Sequence, residues 1–151
     1  MKTSHFAIWI TDQKSDEEQT AIGCIQIDQF VERFQITLNY WDKATFQRKW
    51  REAVKRLVLG ANTVGLMTWM TSPTVKDYRR AWILYREGHR VFIQDKVLIA
   101  TGKSPKFDEE EHLVEIPPRN TVNEDGFRVS EWETSLQSLA NYLASSAHPR
   151  A

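Results

Sequence analysis

Apolar and polar residues alternate in HFAIWIT, residues 5–11, and that period of two predicts a strand. The polar run DQKSDEE that follows predicts a solvated turn. TAIGCIQI (residues 20–27) is rich in β-branched side chains, and FVERFQITL (residues 30–38) alternates again, so three strands in a meander are expected. Gly23, inside the second of them, marks a bulge or a close approach.

The period then changes. Phe46, Trp50, Ala53, Val54, Leu57 and Val58 recur at helical spacing, with Asp42 placed as an N-cap and Gly60 where a helix reverses. The stripe of Phe46, Trp50, Val54 and Leu57 is expected to pack on a sheet, and Glu52 and Arg56 are spaced for a surface pair. NTVGLMTWMT predicts a strand ended by Ser-Pro. AWILYREGHRVFIQDKVLIA (residues 81–100) predicts a hairpin whose EGHR turn uses Gly88 for a positive φ. After the loop TGKSPKFDEEE, Pro117–Pro118 exclude a helix, Asp125–Gly126 predict a turn, and residues 127–132 predict a strand. Thr134 with Gln137 has the form of a capping box for a last helix with Leu136, Leu139, Ala140 and Leu143 on its apolar face.

The order β-β-β-α-β-β-β-β-α predicts an α+β fold: a twisted, mainly antiparallel β-sheet packed by two principal helices. A single domain over residues 1–145 is expected, with a flexible tail at 146–151. Six Trp and seven Phe supply core material for it. No apolar run reaches the roughly 20 residues of a membrane helix. The start lacks the apolar region and cleavage site of a secretory signal, so a cytoplasmic protein is expected.

Little in the chain suggests catalysis or metal binding. Cys24 is the sole cysteine, which excludes an internal disulfide and a cysteine metal cluster. His5, His89, His112 and His148 lack zinc-ligand spacing, and there is no glycine-rich phosphate loop. Asn123, Glu124 and Asp125 are consecutive, so their side chains diverge where a calcium loop would space its ligands. No catalytic residue, metal or cofactor is expected, and the protein reads as a non-enzyme.

Charge is unevenly distributed along the chain. The net charge is zero, yet nine acids stand between Asp108 and Glu133 against Arg119 and Arg128, a local balance of minus seven. Residues 43–56 carry six bases against Glu52, a balance of plus five. Two function classes follow. The acidic flank suits a binding protein with a basic partner, such as a nuclease whose active site must hold phosphate. Its candidate contacts are Asp108, Glu109, Glu110, Glu111, Glu124 and Asp125, joined by Glu131 and Glu133 on the following strand. Alternation puts Glu131 on a face with Val129 and Glu133, and Trp132 on the other with Arg128 and Ser130; both faces are mixed, which leaves the buried one open. The alternative is a nucleic-acid-binding regulator using the basic helix 43–56, although Phe46 and Trp50 lie in its apolar stripe and away from bases.

Three phrases taken together resemble a bacterial family: NYWDKATFQRKWREAVKRLVLG, WILYREGHRVFIQDKVLI and IPPRNTVNEDGFRVSEWETSLQSLANYL. The family is the CdiI immunity proteins of contact-dependent growth inhibition. The shared features are Tyr40–Trp41 ahead of the Trp50 helix, the run from Trp82 to Gln94, and the run from Asn123 to Ser135. The resemblance implies a cytoplasmic, non-enzymatic monomer that binds the C-terminal toxin domain of a CdiA effector one to one. It implies inhibition by blocking the toxin's active site or substrate path, with a nuclease, and an RNase above all, as the expected toxin. Contacts in such families diverge with the toxin, so no binding residue carries over. Scaffold roles are expected for Trp82, Tyr85, Gly88, Gly126 and Trp132.

Overall fold

A computed structural model describes residues 4–69, 78–99 and 116–145. Among them the chain runs β1 (Phe6–Ile10), β2 (Thr20–Ile27), β3 (Phe30–Thr37), α1 (Lys43–Val58), β4 (Thr63–Trp69), β5 (Tyr78–Glu87), β6 (Arg90–Ile99), β7 (Trp132–Ser135) and α2 (Leu136–Ala144). The expected tail at 146–151 lies outside the described residues. Every strand pairing among the described residues is antiparallel, in keeping with the mainly antiparallel sheet that the sequence pattern predicts. The sheet is divided, however, into β1-β2-β3 and β4-β5-β6-β7. The break falls where the 16-residue α1 intervenes, so β4 returns in a second sheet instead of pairing with β3.

α1 forms for the reasons legible in its sequence. The Asp42 carboxylate accepts from the Thr45 amide at 2.8 Å, and Phe46, Trp50, Val54 and Leu57 are fully buried. The Trp50 indole N–H donates to the Met67 carbonyl at 2.7 Å, which fastens the helix to β4. Glu52 pairs with Arg48, one turn before it, at 3.2 Å. At the other end the Arg86 guanidinium donates to the carbonyls of Leu57 and Val58 at 2.8 and 3.1 Å. The last carbonyls of a helix lack partners within it, and a cation there also complements the helix dipole.

α2 starts one residue later than its sequence suggests. Ser135, not Thr134, is the N-cap, accepting from the Ser138 amide at 3.1 Å. Thr134 is still in β7, opposite Val91, and its hydroxyl donates to the Asp28 carboxylate at 3.2 Å. The buried face also includes Tyr142, which meets Phe6 edge-on at 5.4 Å and whose phenol is pushed up to about 12 by burial. Arg51 of α1 donates to the carbonyls of Tyr142, Leu143 and Ser145, so an arginine from another element caps this helix too.

The strand expected over residues 127–132 is displaced to Trp132–Ser135. Residues 121–129 fold back on themselves first: the Asn123 amide donates to the Phe127 carbonyl at 2.8 Å and the Val129 amide to the Thr121 carbonyl at 2.9 Å. With those groups satisfied locally, pairing with β6 begins at Trp132.

The two sheets meet through aromatic rings. Phe30 stacks on Trp132 at 4.3 Å, Phe34 meets Trp82 at 6.0 Å and Trp50 at 6.1 Å, and Trp82 meets Trp132 at 5.7 Å. Gly23 explains how Phe34 fits. The β2 pairings run through it without a bulge, and a Cβ there would stand 2.5 Å from the Phe34 ring. The residue is a close approach. Gly23→Ala should therefore destabilise the protein by about 1–3 kcal/mol, read as a shifted urea midpoint. An unchanged midpoint would mean that Phe34 is free to move.

Candidate functional site

The outer face of the second sheet carries Glu131 and Glu133, two of the acids that the sequence places late in the chain. By strand register, Tyr85 and Glu87 of β5, Arg90, Phe92 and Gln94 of β6, and Glu133 of β7 share this face. Residues 116–120 lie over it and are tied down at several points. The Tyr85 hydroxyl donates to the Pro117 carbonyl at 2.9 Å, and the Gln94 side-chain amide donates to the Asn120 carbonyl at 3.1 Å. Burial, then the nearby Glu131 charge, push the Tyr85 phenol up to about 12, so it stays a donor.

Arg119 is the centre of these ties. Its guanidinium sits 3.7 Å from the Phe92 ring centre and makes two bonds to Glu131, at 2.7 and 2.8 Å. It also reaches Glu87 at 3.1 Å. Glu131 accepts a further bond from Gln94 at 2.8 Å. Hydrogen bonds from Arg119 hold the Glu131 carboxyl below its ordinary range, against the opposing effect of burial. Glu133 is likewise bound by Arg90 at 2.8 and 3.0 Å, and those bonds lower its pKa. Of the two mixed faces, Trp132 takes the inner one and the two glutamates the outer.

Glu124 and Asp125 are placed differently. They occupy the exposed tip of the 121–129 turn, where Gly126 has a φ of 85° as the sequence predicts. Asn123 fixes the turn: its side-chain oxygen accepts from the amides of Asp125 and Phe127 at 2.9 and 3.0 Å. Phe127 and Val122 on the same turn are 70% and 50% exposed, unusual for side chains this apolar. Asp108, Glu109, Glu110 and Glu111 lie outside the described residues. Sequence reasoning missed Arg119 and Gln94, because nothing in linear spacing announces that a loop arginine will lie over a strand phenylalanine.

At least half of the basic residues of the helix are engaged in the fold. Phe46 and Trp50 are fully buried, Arg51 caps α2, Arg48 pairs with Glu52, and Lys49 lies 6.0 Å from the Trp41 ring. Cys24 is buried, and burial raises its thiol pKa, the wrong direction for a nucleophile. Among the described residues, no group of three or more His, Cys, Asp or Glu is placed to hold a metal. No helix among them is long and apolar enough to cross a membrane.

Residues 36–142 match the family described as the CdiI N-terminal domain, which is more than half of the chain. The chain belongs to the CdiI family. It is 26% identical over 121 residues to the immunity protein CdiI of Enterobacter cloacae, covering 80% of this chain and 83% of that one. It also shares the fold of a chain in the CdiA-CT/CdiI toxin and immunity complex from Enterobacter cloacae, with a TM-score of 0.78 and 24% identity over 92% of this chain and 96% of that one.

The Arg119–Glu131 pair gives a pH-dependent prediction. A carboxyl whose pKa is lower in the folded state than its ordinary 4.5 stabilises fully above that value. The contribution is lost as the pH falls through the folded pKa. Glu131→Gln should cost about 2 kcal/mol at pH 7 and flatten the loss of stability between about pH 5 and pH 3. Urea unfolding across that range checks it; an unaltered acid slope in the variant would contradict the assignment.

Proposed function

We propose that this protein is an immunity protein that binds the C-terminal toxin domain of a CdiA-type effector and neutralises it. Membership of the CdiI family is the observation that carries this reading. Its similarity to the Enterobacter cloacae immunity protein, and to a chain of the CdiA-CT/CdiI complex, supports it. The protein acts in the cytoplasm, as a monomer binding one toxin domain, and has no catalytic activity of its own. The toxin is a nuclease, an RNase in the favoured reading, because a basic phosphate-handling partner suits the acidic stretch between Asp108 and Glu133.

Inhibition is steric and electrostatic, by occlusion of the active site or of the path to it. Glu124 and Asp125 on the exposed turn, with Asp108, Glu109, Glu110 and Glu111 ahead of it in the chain, present carboxylates to the toxin's Lys and Arg residues. Glu131 and Glu133 follow the turn in the chain, but Arg119 and Arg90 already hold them. Through Arg119, Glu131 ties down the segment ahead of the turn, which reduces the ordering required on binding. Phe127 beside the two exposed acids supplies apolar area of the kind that dominates binding energy.

Binding to the cognate toxin domain should be nanomolar or tighter, on the order of 12 kcal/mol. Titration calorimetry measures it, and no complex at micromolar concentration would refute the reading. Replacing Glu124 and Asp125 together by Lys should slow association and weaken its dependence on salt. An on-rate at low salt equal to that of the unaltered protein would move the interface away from this turn.

A further inference from the structure

A groove of about 410 Å³ opens where the two sheets diverge, lined by Glu32, Arg33 and Phe34 of β3, Thr68 and Trp69 of β4, Arg80 and Trp82 of β5, and Asp95 of β6. Its chemistry departs from the pattern of the strands that form it. On β3 the side facing the second sheet carries Phe30, Glu32, Phe34 and Ile36, three apolar residues and one acid. On β6 the corresponding side carries Ile93, Asp95 and Val97, again with one acid among apolar residues. The two interruptions lie at the same groove. A carboxylate at such a position is unfavourable unless something compensates it.

Asp95 is compensated. Arg80 binds it with two bonds, at 2.7 and 3.2 Å. Glu32 is less well served: it is half-buried, feels the Arg80 charge only at a distance, and its carboxylate makes no hydrogen bond or ion pair among the described residues. Burial, then the Asp95 charge, raise its pKa, with Arg80 opposing them. Arg33 adjoins Glu32 in sequence, but strand alternation directs it to the other side of β3, beside Cys24. Glu32, Asp95, Arg33 and Arg80 thus all line the groove, but Arg80 is bound to Asp95 and Arg33 is turned toward Cys24, with aromatic side chains from three strands around them.

We propose that this groove receives a basic side chain of the toxin domain, an arginine or lysine whose charge pairs with Glu32 while its aliphatic stem lies against Phe34 and Trp69. A guanidinium suits it best, because it is planar, pairs with a carboxylate through two bonds and stacks on aromatic faces. The proposal rests on the toxin-binding reading and adds a second contact region to it, separate from the 121–129 turn. It also accounts for an acid on an inward row of β3 that contributes nothing evident to the fold.

Glu32→Gln tests it, because the free protein and the complex should respond in opposite directions. Removing a half-buried charge that no hydrogen bond or ion pair holds should leave the thermal midpoint of the free protein unchanged or raised. The same change should weaken binding of the cognate toxin domain by about tenfold or more. At least one Lys or Arg to Met change in the toxin should then weaken binding to the unaltered protein but not weaken binding to Glu32→Gln any further. Equal affinity of Glu32→Gln and the unaltered protein, a parallel fall in midpoint and affinity, or no coupled toxin cation would each overturn the proposal. Failure of the unaltered protein to bind the toxin domain at all would instead remove the toxin-binding reading itself.

Discussion

The packing of Phe30 and Phe34 against Trp132 and Trp82 is the contact on which the rest depends. Among the described residues no strand pairing joins the two small antiparallel sheets, and each leaves an apolar face that must be covered. The rings supply that cover with large area and fixed geometry, and Trp50 brings α1 into the same cluster. Gly23 gives the Phe34 ring room to take its place. Once Trp132 is drawn inward, the alternation of β7 turns Glu133 outward, where Arg90 meets it, and Glu131 stands beside Arg119 on that outer side.

That geometry divides the acidic stretch into groups with different roles. Glu131 and Glu133 are neutralised within the protein, each by a two-bond arginine contact. Glu124 and Asp125 stand at an exposed tip whose backbone is fixed by Asn123. Under the proposed function, a fixed base beneath a charged tip would leave little further ordering to be done when a basic partner arrives. The same division explains why charge counted along the sequence overstates the free charge of the folded surface.

Much of the fold was legible because local rules and tertiary packing agree there. The meander, α1 with its Asp42 cap, the Gly88 hairpin and the Asp125–Gly126 turn all follow from period and turn chemistry. The differences arise where a long-range contact or a local closure wins. Thr134 has the chemistry of a cap, yet Asp28, far away in the chain, holds it in β7 and passes the role to Ser135. The strand expected from residue 127 is displaced to Trp132–Ser135 because Asn123 closes its own turn first. At the candidate site the sequence identified the acids but not their partners: the Arg119 contact with Phe92 and Glu131 exists only once a loop crosses a sheet. Glu32 reads in sequence only as part of an alternating strand, since its exceptional position appears when β6 brings Asp95 to the same groove.

Protection of a cell by engagement of one toxin domain is tested most directly by growth. Bacteria in which the cognate CdiA toxin domain is induced would be followed with and without this protein. Restored growth, lost when a non-cognate CdiI replaces this chain, is the expected result. Continued growth arrest with both proteins present in the cell at comparable levels would contradict it.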